Sequence, residues 1–205
     1  MDEYNALPPE GEEENQEAPR RPGAGLYEWL QMFLGCVVAA VVLFNCAARL
    51  IRVDGGSMNN TLQDGEIMLT LSLGYTPVQG DIVVLNKTTA DLPGWGGTRA
   101  IVKRVIAVGG QTVDIDYTTG TVYVDGVPLD EPYIKEEMLR PDPYFRPEMQ
   151  QTHWEIPEGS IFVMGDNRNN STDSRDDRLG PIDTGYVLGK VVLALWPLDR
   201  FGPVS

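Results

Sequence analysis

The chain is poor in the two residue types on which most nucleophilic catalysis rests. Its 205 residues include two cysteines and one histidine. Cys36 and Cys46 both lie in one hydrophobic segment, so the remainder offers neither a disulfide nor a thiol nucleophile. A Cys–His protease is excluded, and so is a His-rich zinc site of the usual composition. A Ser–His–Asp hydrolase would rest on His153 alone, which sits beside Trp154 in an irregular stretch and reads as a packed or half-exposed histidine. Positive charge is also scarce: 16 Lys and Arg stand against 30 Asp and Glu, a net −14. Phosphate binding needs a basic face, so no nucleic-acid partner is expected. Nothing in the composition calls for a cofactor or a metal. Helical periodicity is scarce after residue 52, and no internal repeat is visible.

What is present divides into three parts. Residues 1–25 form an acidic tail, with seven acids and two Arg in the first 22 residues. They are too poor in apolar groups to offset ordering entropy and read as disordered. Trp29–Ala48 is an uncharged run of 20 residues between Glu28 and Arg49. As a helix it spans about 30 Å, the thickness of a bilayer core. Tyr27 and Trp29 suit one interface. A cleaved signal peptide would start earlier and be followed by a small-residue cleavage site. A buried helix would show a polar stripe, and only Gln31 and Asn45 are polar. The expectation is a transmembrane helix over residues 26–50. Arg20 and Arg21 before it balance Arg49 and Arg52 after it, so charge bias alone sets no orientation.

From residue 51 to 205 short apolar runs alternate with Gly, Pro, Asn and Asp punctuation. Glu66–Leu71, Asp81–Leu85, Ala100–Val108, Thr112–Asp116, Thr121–Val124, Ile161–Met164 and Tyr186–Leu195 have the length and Val/Ile content of strands. Thr119-Gly120 and Asp125-Gly126 are turn signals on either side of Thr121–Val124. No βαβ alternation is present, so the fold class is mainly β and antiparallel. Residues 117–158 are less regular and Pro-rich from 127 onward, and read as an insertion.

Three places hold reactive residue types. Directly after the apolar span come Val53-Asp54-Gly55-Gly56-Ser57-Met58, where two glycines permit close substrate approach to a serine. A flexible juxtamembrane turn would look the same. A serine nucleophile needs a base, and without a suitable histidine the choice falls on lysine. A lysine must be neutral to act, which requires burial to lower its pKa from about 10.4. Lys87 is followed by a polar loop, Lys135 has Glu136 and Glu137 beside it, and Lys190 sits at a strand start. Lys103 lies mid-strand in Ala100–Ile106, with Ile101 and Val105 on its face and Val102, Arg104 and Ile106 on the other. It is the best candidate for a desolvated amine, although an edge-strand lysine could instead snorkel to water. The third place is Met164–Asp177, MGDNRNNSTDSRDD, which follows a strand-like run. Its Arg, Asp, Asn and Ser groups can brace one another in a polar network, or simply form a solvated loop. Asp183-Thr184-Gly185 looks like an aspartic-protease triplet but lacks a second one, and reads as a turn.

In order along the chain, these segments resemble the type I signal peptidases of bacterial type, membrane-anchored Ser–Lys proteases. Ser57-Met58-Asn59-Asn60-Thr61-Leu62 is similar to their S-M-x-P-T-L box, and Gly80-Asp81-Ile82-Val83-Val84 to the next. Lys103–Gly110 is similar to K-R-V-I-G-x-P-G-D, and Gly165–Arg175 closely follows G-D-N-R-x-N-S-x-D-S-R. Asn60 replaces the usual proline, and Gly109-Gly110-Gln111 replaces P-G-D. Gly55 stands where some members carry a serine hydroxyl that helps hold the oxyanion.

The resemblance implies an antiparallel β-sheet catalytic domain behind one transmembrane helix, cutting signal peptides from exported preproteins. Ser57 would be the nucleophile and Lys103 the neutral general base. Ser171 would hydrogen-bond and orient the Lys103 amine, Asp173 and Arg175 would form a supporting ion pair, and Met58 would lie next to the substrate. Asp166 and Arg168 would be structural. The implied enzyme works as a monomer without a cofactor at the lipid bilayer, with its tail in the cytoplasm and its catalytic domain outside. Beside a degenerate, inactive peptidase, which Asn60 would suggest, two other classes fit parts of the pattern. A repressor-type autoprotease shares the Ser–Lys pair but has no span. A membrane-tethered binding domain would keep Ser57 and Lys103 apart.

Overall fold

The structure, a computed structural model, describes residues 24–86 and 100–204. The expected disordered tail and Lys87 lie outside the described residues. The chain forms two compact units, residues 1–41 and 42–205.

The first unit is helical: α1 runs from Ala24 to Ala47, its last turns belonging to the second unit. Its stretch Gly25–Val42 has a mean hydropathy of 1.6 and none of it is buried. Leu26, Trp29, Phe33 and Val41 are exposed, and Trp29 stacks on Phe33 with ring centroids 5.5 Å apart. So much uncovered apolar surface is costly in water, and lipid is the solvent that matches it. The helix ends three residues before the expected residue 50. Residues 48–52 are already strand β1, Ala48–Arg52, paired with β2, Ile67–Leu71. The ladder satisfies their backbone groups, and Ile51 packs against the core while Arg49 and Arg52 stay exposed.

Next come β3, Ile82–Leu85; β4, Ile101–Val108; β5, Thr112–Asp116; β6, Thr121–Val124; and β7, Val127–Pro128. They are followed by β8, His153–Glu155; β9, Ser160–Met164; β10, Ile182–Asp183; β11, Val187–Trp196; and β12, Gly202–Pro203. One sheet has the order β1-β2-β11-β3-β4-β9-β10, with β12 added beside β11. A second sheet has the order β7-β6-β5-β8. Every described pairing is antiparallel. The mainly β, antiparallel expectation holds. Strand β8 corrects the reading of residues 117–158 as a less regular insertion: it pairs with β5, and its Trp154 packs 4.9 Å from Phe162 of β9. Three residues are too few to show a period of two in the sequence.

The two sheets share a core around Ile106, Val113, Ile115, Val122, Trp154 and Phe162. A second cluster holds Val53, Met58, Leu62, Met68, Ile82, Val84 and Val102. A third holds Val83, Leu85, Ile101, Val105, Ile161 and Val163. Strand β4 contributes to all three, so both its faces are covered along most of its length. Strand β11 bridges β2 and β3 through register shifts. At its Gly189 a side chain would run into the Leu71 carbonyl, which explains the glycine there.

Phe162 is fully buried where the sheets meet, whereas Phe145 is 73% exposed. Phe162→Ala is expected to lower stability by about 3–5 kcal/mol and Phe145→Ala by less than about 0.5. Denaturant titration of the detergent-solubilised chain checks this, and equal effects would contradict the assigned core.

Candidate active site

After β1 the chain turns through Gly55, whose φ of 93° favours glycine. The Gly55 N–H donates to Asp64 Oδ1 at 2.8 Å, and Leu62 N–H to the Met58 carbonyl at 2.8 Å. The Asn59–Asn60 peptide bond is cis. Met58 and Leu62 are each 1% exposed and pin this turn to the second cluster. The apolar side chain of Met58 reaches into the core beneath the turn, and Ser57 is left on the more open side.

Lys103 sits on β4 opposite Val83 and is 2% exposed. Its Nζ lies 2.7 Å from Ser57 Oγ and donates to the Val102 carbonyl at 3.0 Å. Burial strips water from the ammonium and lowers the Lys103 pKa from 10.5 to about 8. Asp173 and Asp166 pull it back up, and Arg175 pushes it down. The amine therefore loses its proton around pH 8 while touching a hydroxyl. The Ser57 N–H donates to no acceptor among the described residues, which leaves it able to receive a developing oxyanion.

The segment after β9 closes over this pair. Asn167 N–H donates to the Ser57 carbonyl at 3.0 Å, and Asn167 Nδ2 to the Gly56 carbonyl at 2.9 Å. At Gly165 a Cβ would come within 2.5 Å of the Ser57 carbonyl oxygen and strike the Ser171 side chain, so only glycine permits the approach. Asp173 and Arg175 form the expected ion pair: Arg175 Nε and Nη2 donate to the two carboxylate oxygens at 2.8 and 2.9 Å. Both are buried, and Arg175 Nη2 also donates to the Arg168 carbonyl at 2.7 Å. Burial alone would raise the Asp173 carboxyl, but Arg175 and the Gly165 N–H outweigh it and hold the group below its ordinary range.

Ser171 is buried close to Gly165 and Ser57, and its Oγ has no hydrogen-bond partner among the described residues. It lies near enough to the Asp173 carboxylate to help keep that group ionised.

Three further residues take part that the sequence did not single out. Arg104 Nε and Nη2 grip both oxygens of Asp166, at 2.9 and 2.8 Å, and Thr61 Oγ1 donates to the same carboxylate at 2.5 Å. Thr61 thereby ties the serine turn to the strand that carries Lys103. Asn167 holds the Ser57 backbone as described. Glu131 accepts a two-pronged bond from Arg168, at 2.8 and 2.5 Å. Thr61 and Asn167 were visible only as letters in a motif, and nothing in the sequence marked Glu131. His153 stands apart on the second sheet, exposed and 2.7 Å from Asp114. Lys190 pairs with Asp81 at 2.5 Å, and Asp183 caps a turn by accepting from the Gly185 N–H.

A buried amine against a serine, next to a free backbone N–H, is an arrangement suited to acyl transfer. The sequence profile of the family described as "Signal peptidase, peptidase S26" matches residues 26–196. The chain belongs to that family. A probable signal peptidase I-1 from Synechocystis sp. is 33% identical over 188 residues, covering 90% of this chain and 89% of that protein. Signal peptidase IB from Staphylococcus aureus is 32% identical over 189 residues, covering 85% of this chain and 93% of that protein. A crystal structure of a signal peptidase I from Enterococcus faecalis aligns with 27% identity and a TM-score of 0.43, over 57% of this chain and 97% of that one. The chain is thus an enzyme of the signal peptidase I family, serine peptidases that remove signal peptides. Its apolar N-terminal helix agrees with membrane anchoring.

The depressed Lys103 pKa has a consequence for stability. Below about pH 8 both folded and unfolded chains carry the proton, and the fold bears the full cost of the buried ammonium. Between about 8 and 10.5 only the unfolded chain is protonated, so stability rises with pH; above 10.5 the cost is gone. Lys103→Met is expected to stabilise the chain by about 3 kcal/mol at pH 7, with the gain fading across that window. Denaturant titrations at pH 7, 9 and 10.5 measure it, and a gain independent of pH would refute the burial argument.

Proposed function

We propose that the chain cuts signal peptides from exported preproteins by a Ser57–Lys103 mechanism. The observation that carries this reading is the 2.7 Å contact between Ser57 Oγ and the buried Lys103 Nζ. Neutral Lys103 takes the Ser57 proton as Oγ attacks the carbonyl at the cleavage site. The Ser57 N–H receives the oxyanion, and the protonated Lys103 then gives its proton to the departing amine. Water opens the acyl-enzyme in the same way, with Lys103 again the base. Ser171 completes the amine's surroundings: a neutral amine has one N–H left after its bonds to Ser57 and Val102, and the Ser171 Oγ is an acceptor without a partner. Asp173 and Arg175 act as positioning residues. Held as a pair they present little net charge to Lys103, so neither dominates its pKa.

The enzyme acts as a monomer anchored in the lipid bilayer through α1, with its N-terminus in the cytoplasm and residues 51–205 on the outer face. The uncovered apolar helix supports the anchor, and the orientation follows the resemblance to the type I signal peptidases. Signal peptides bring their own apolar helix to the same surface.

The deciding experiment is cleavage of a preprotein with an Ala-x-Ala site by the detergent-solubilised wild type, with Ser57→Ala and Lys103→Ala in parallel. Each substitution is expected to lower kcat by a factor of about 10³ or more, and activity surviving in Lys103→Ala would assign the base elsewhere. Because the base must be neutral, kcat/KM is expected to climb about tenfold per pH unit below 8 and level off above it. A profile flat from pH 6 to 9 would reject Lys103 as the titrating group.

A further inference from the structure

The serine turn has a further hold, from a segment that the mechanism does not use. Beyond β11 the chain makes a single 3-10 turn, Leu198–Arg200, in which the Arg200 N–H donates to the Pro197 carbonyl at 3.0 Å. Strand β12 then pairs with β11, and the Val204 N–H donates to the Val192 carbonyl at 3.2 Å. The 3-10 turn is therefore fixed to the large sheet on both sides. Its Leu198 side chain is exposed, whereas Arg200 is partly buried.

The Arg200 guanidinium meets three groups at once. Nη2 donates to the Thr61 carbonyl at 2.9 Å and lies 3.5 Å from the Asn60 carbonyl oxygen. Nε lies 2.8 Å from Glu66 Oε1. Glu66 is 2% exposed, and its other carboxylate oxygen accepts the Gln63 N–H at 3.0 Å. Its backbone is tied down as well, with the Glu66 carbonyl accepting the Val53 N–H at 2.8 Å. A carboxylate so far out of water needs a cation beside it, and among the described residues Arg200 is paired with it.

Thr61 is thereby gripped at both ends. Its hydroxyl donates to Asp166, and its carbonyl accepts from Arg200. It lies four positions after Ser57, beside the Leu62 N–H that closes the turn onto the Met58 carbonyl. A guanidinium suits this task because it is a planar fork: one nitrogen meets the carboxylate while another meets the backbone. An ammonium is a point charge and spans only one of the two.

We propose that Arg200, held by the buried Glu66, is a positioning residue for the nucleophile: it fixes the Asn60–Thr61 limb of the turn and so keeps Ser57 Oγ against Lys103. The proposal rests on the peptidase reading above. A displacement of about 1 Å at a reacting atom costs about a hundredfold in rate, so a hold on the turn acts on kcat without touching substrate.

The test compares Arg200→Gln, Arg200→Lys and the double variant Glu66→Gln/Arg200→Gln, each as the full-length, detergent-solubilised chain cutting an Ala-x-Ala preprotein. The double variant leaves no unpaired buried carboxylate and keeps an oxygen for the Gln63 N–H, so it serves where Arg200→Gln alone fails to fold. In Arg200→Gln and in the double variant kcat is expected to fall about tenfold to thirtyfold, with KM within about twofold of wild type. Arg200→Lys keeps a charge beside Glu66 and is expected to restore the denaturation midpoint but no more than about a third of kcat. The pH at which kcat/KM reaches half its plateau stays at the wild-type value, because the burial of Lys103 is untouched; a general loosening of the sheet would admit water to the amine and move it upward. Hydrogen exchange reads the turn without substrate: the Asn59 and Leu62 amides are expected to exchange about tenfold faster in the variants, with those of β5 and β6 unchanged. Full kcat in Arg200→Lys or in the double variant, a shifted pH midpoint, or unchanged exchange at Leu62 overturns the positioning role and leaves the peptidase intact. Absence of cleavage by wild type overturns the peptidase reading; faster exchange at Leu62 in the variants then still upholds the hold on the turn, and unchanged exchange overturns that too.

Discussion

The structure depends on keeping one amine out of water. A lysine that is to be neutral near physiological pH must be surrounded by protein on every side, and the cost of a buried ammonium at pH 7 is about 3 kcal/mol. That requirement accounts for the place of β4. The strand lies between β3 and β9 and gives side chains to three separate clusters. The second sheet, small as it is, covers the end of β4 beyond Lys103 through Ile106 and Phe162. Moving Lys103 to an edge strand would restore its water and its ordinary pKa.

Around the amine the structure uses charge to fix geometry more than to gain stability. Arg104–Asp166, Arg168–Glu131 and Arg175–Asp173 are all buried or nearly so, and each guanidinium meets its carboxylate with two nitrogens. Desolvation offsets most of the attraction in such pairs, so apolar packing could have served stability as well. Apolar packing would not have set a direction. Asp166 takes Thr61 as well as Arg104, and Asn167 takes both Gly56 and Ser57 carbonyls. The serine turn is thereby held on two sides by one polar segment. Met58 and Leu62 hold it from below. A hydroxyl set at 2.7 Å from an amine needs that many constraints, because each long side chain left free would carry its own rotamer entropy.

Much of this was readable from the residues because the physics involved is local. Thr112–Asp116 and Thr121–Val124 form strands with the expected bounds, since alternation and the Thr119-Gly120 turn both act over a few residues. Ser57 and Lys103 emerged by elimination from the shortage of Cys and His. That they touch was not readable, because they lie 46 residues apart and only the β3–β4–β9 order brings them together. The Thr61–Asp166 and Arg168–Glu131 contacts span 105 and 37 residues and left no local trace. Errors fell where one pattern hid another. Beyond Arg49 the apolar Leu50 and Ile51 follow the run of α1, so β1 looked like more helix. The Ser171 hydroxyl can rotate between acceptors, and no sequence pattern fixes a rotor.

The shortness of the link between helix and serine bears on how such an enzyme can work. Ser57 lies ten positions after Ala47, and even a fully extended chain of that length reaches only about 35 Å. The Ser57 hydroxyl cannot stray further than that from the end of the helix. A substrate held by its own apolar helix has the same restriction, so two groups confined to one thin layer meet at an effective concentration that free diffusion would not supply. Where a membrane provides the encounter, a site has little need of a large contact area. Here the cavity of about 220 Å³ lined in part by Ser171 is smaller than an ordinary ligand pocket. A peptidase serving many preproteins benefits from this division: recognition that rests on a few small side chains near the cut leaves the rest of each substrate free to vary.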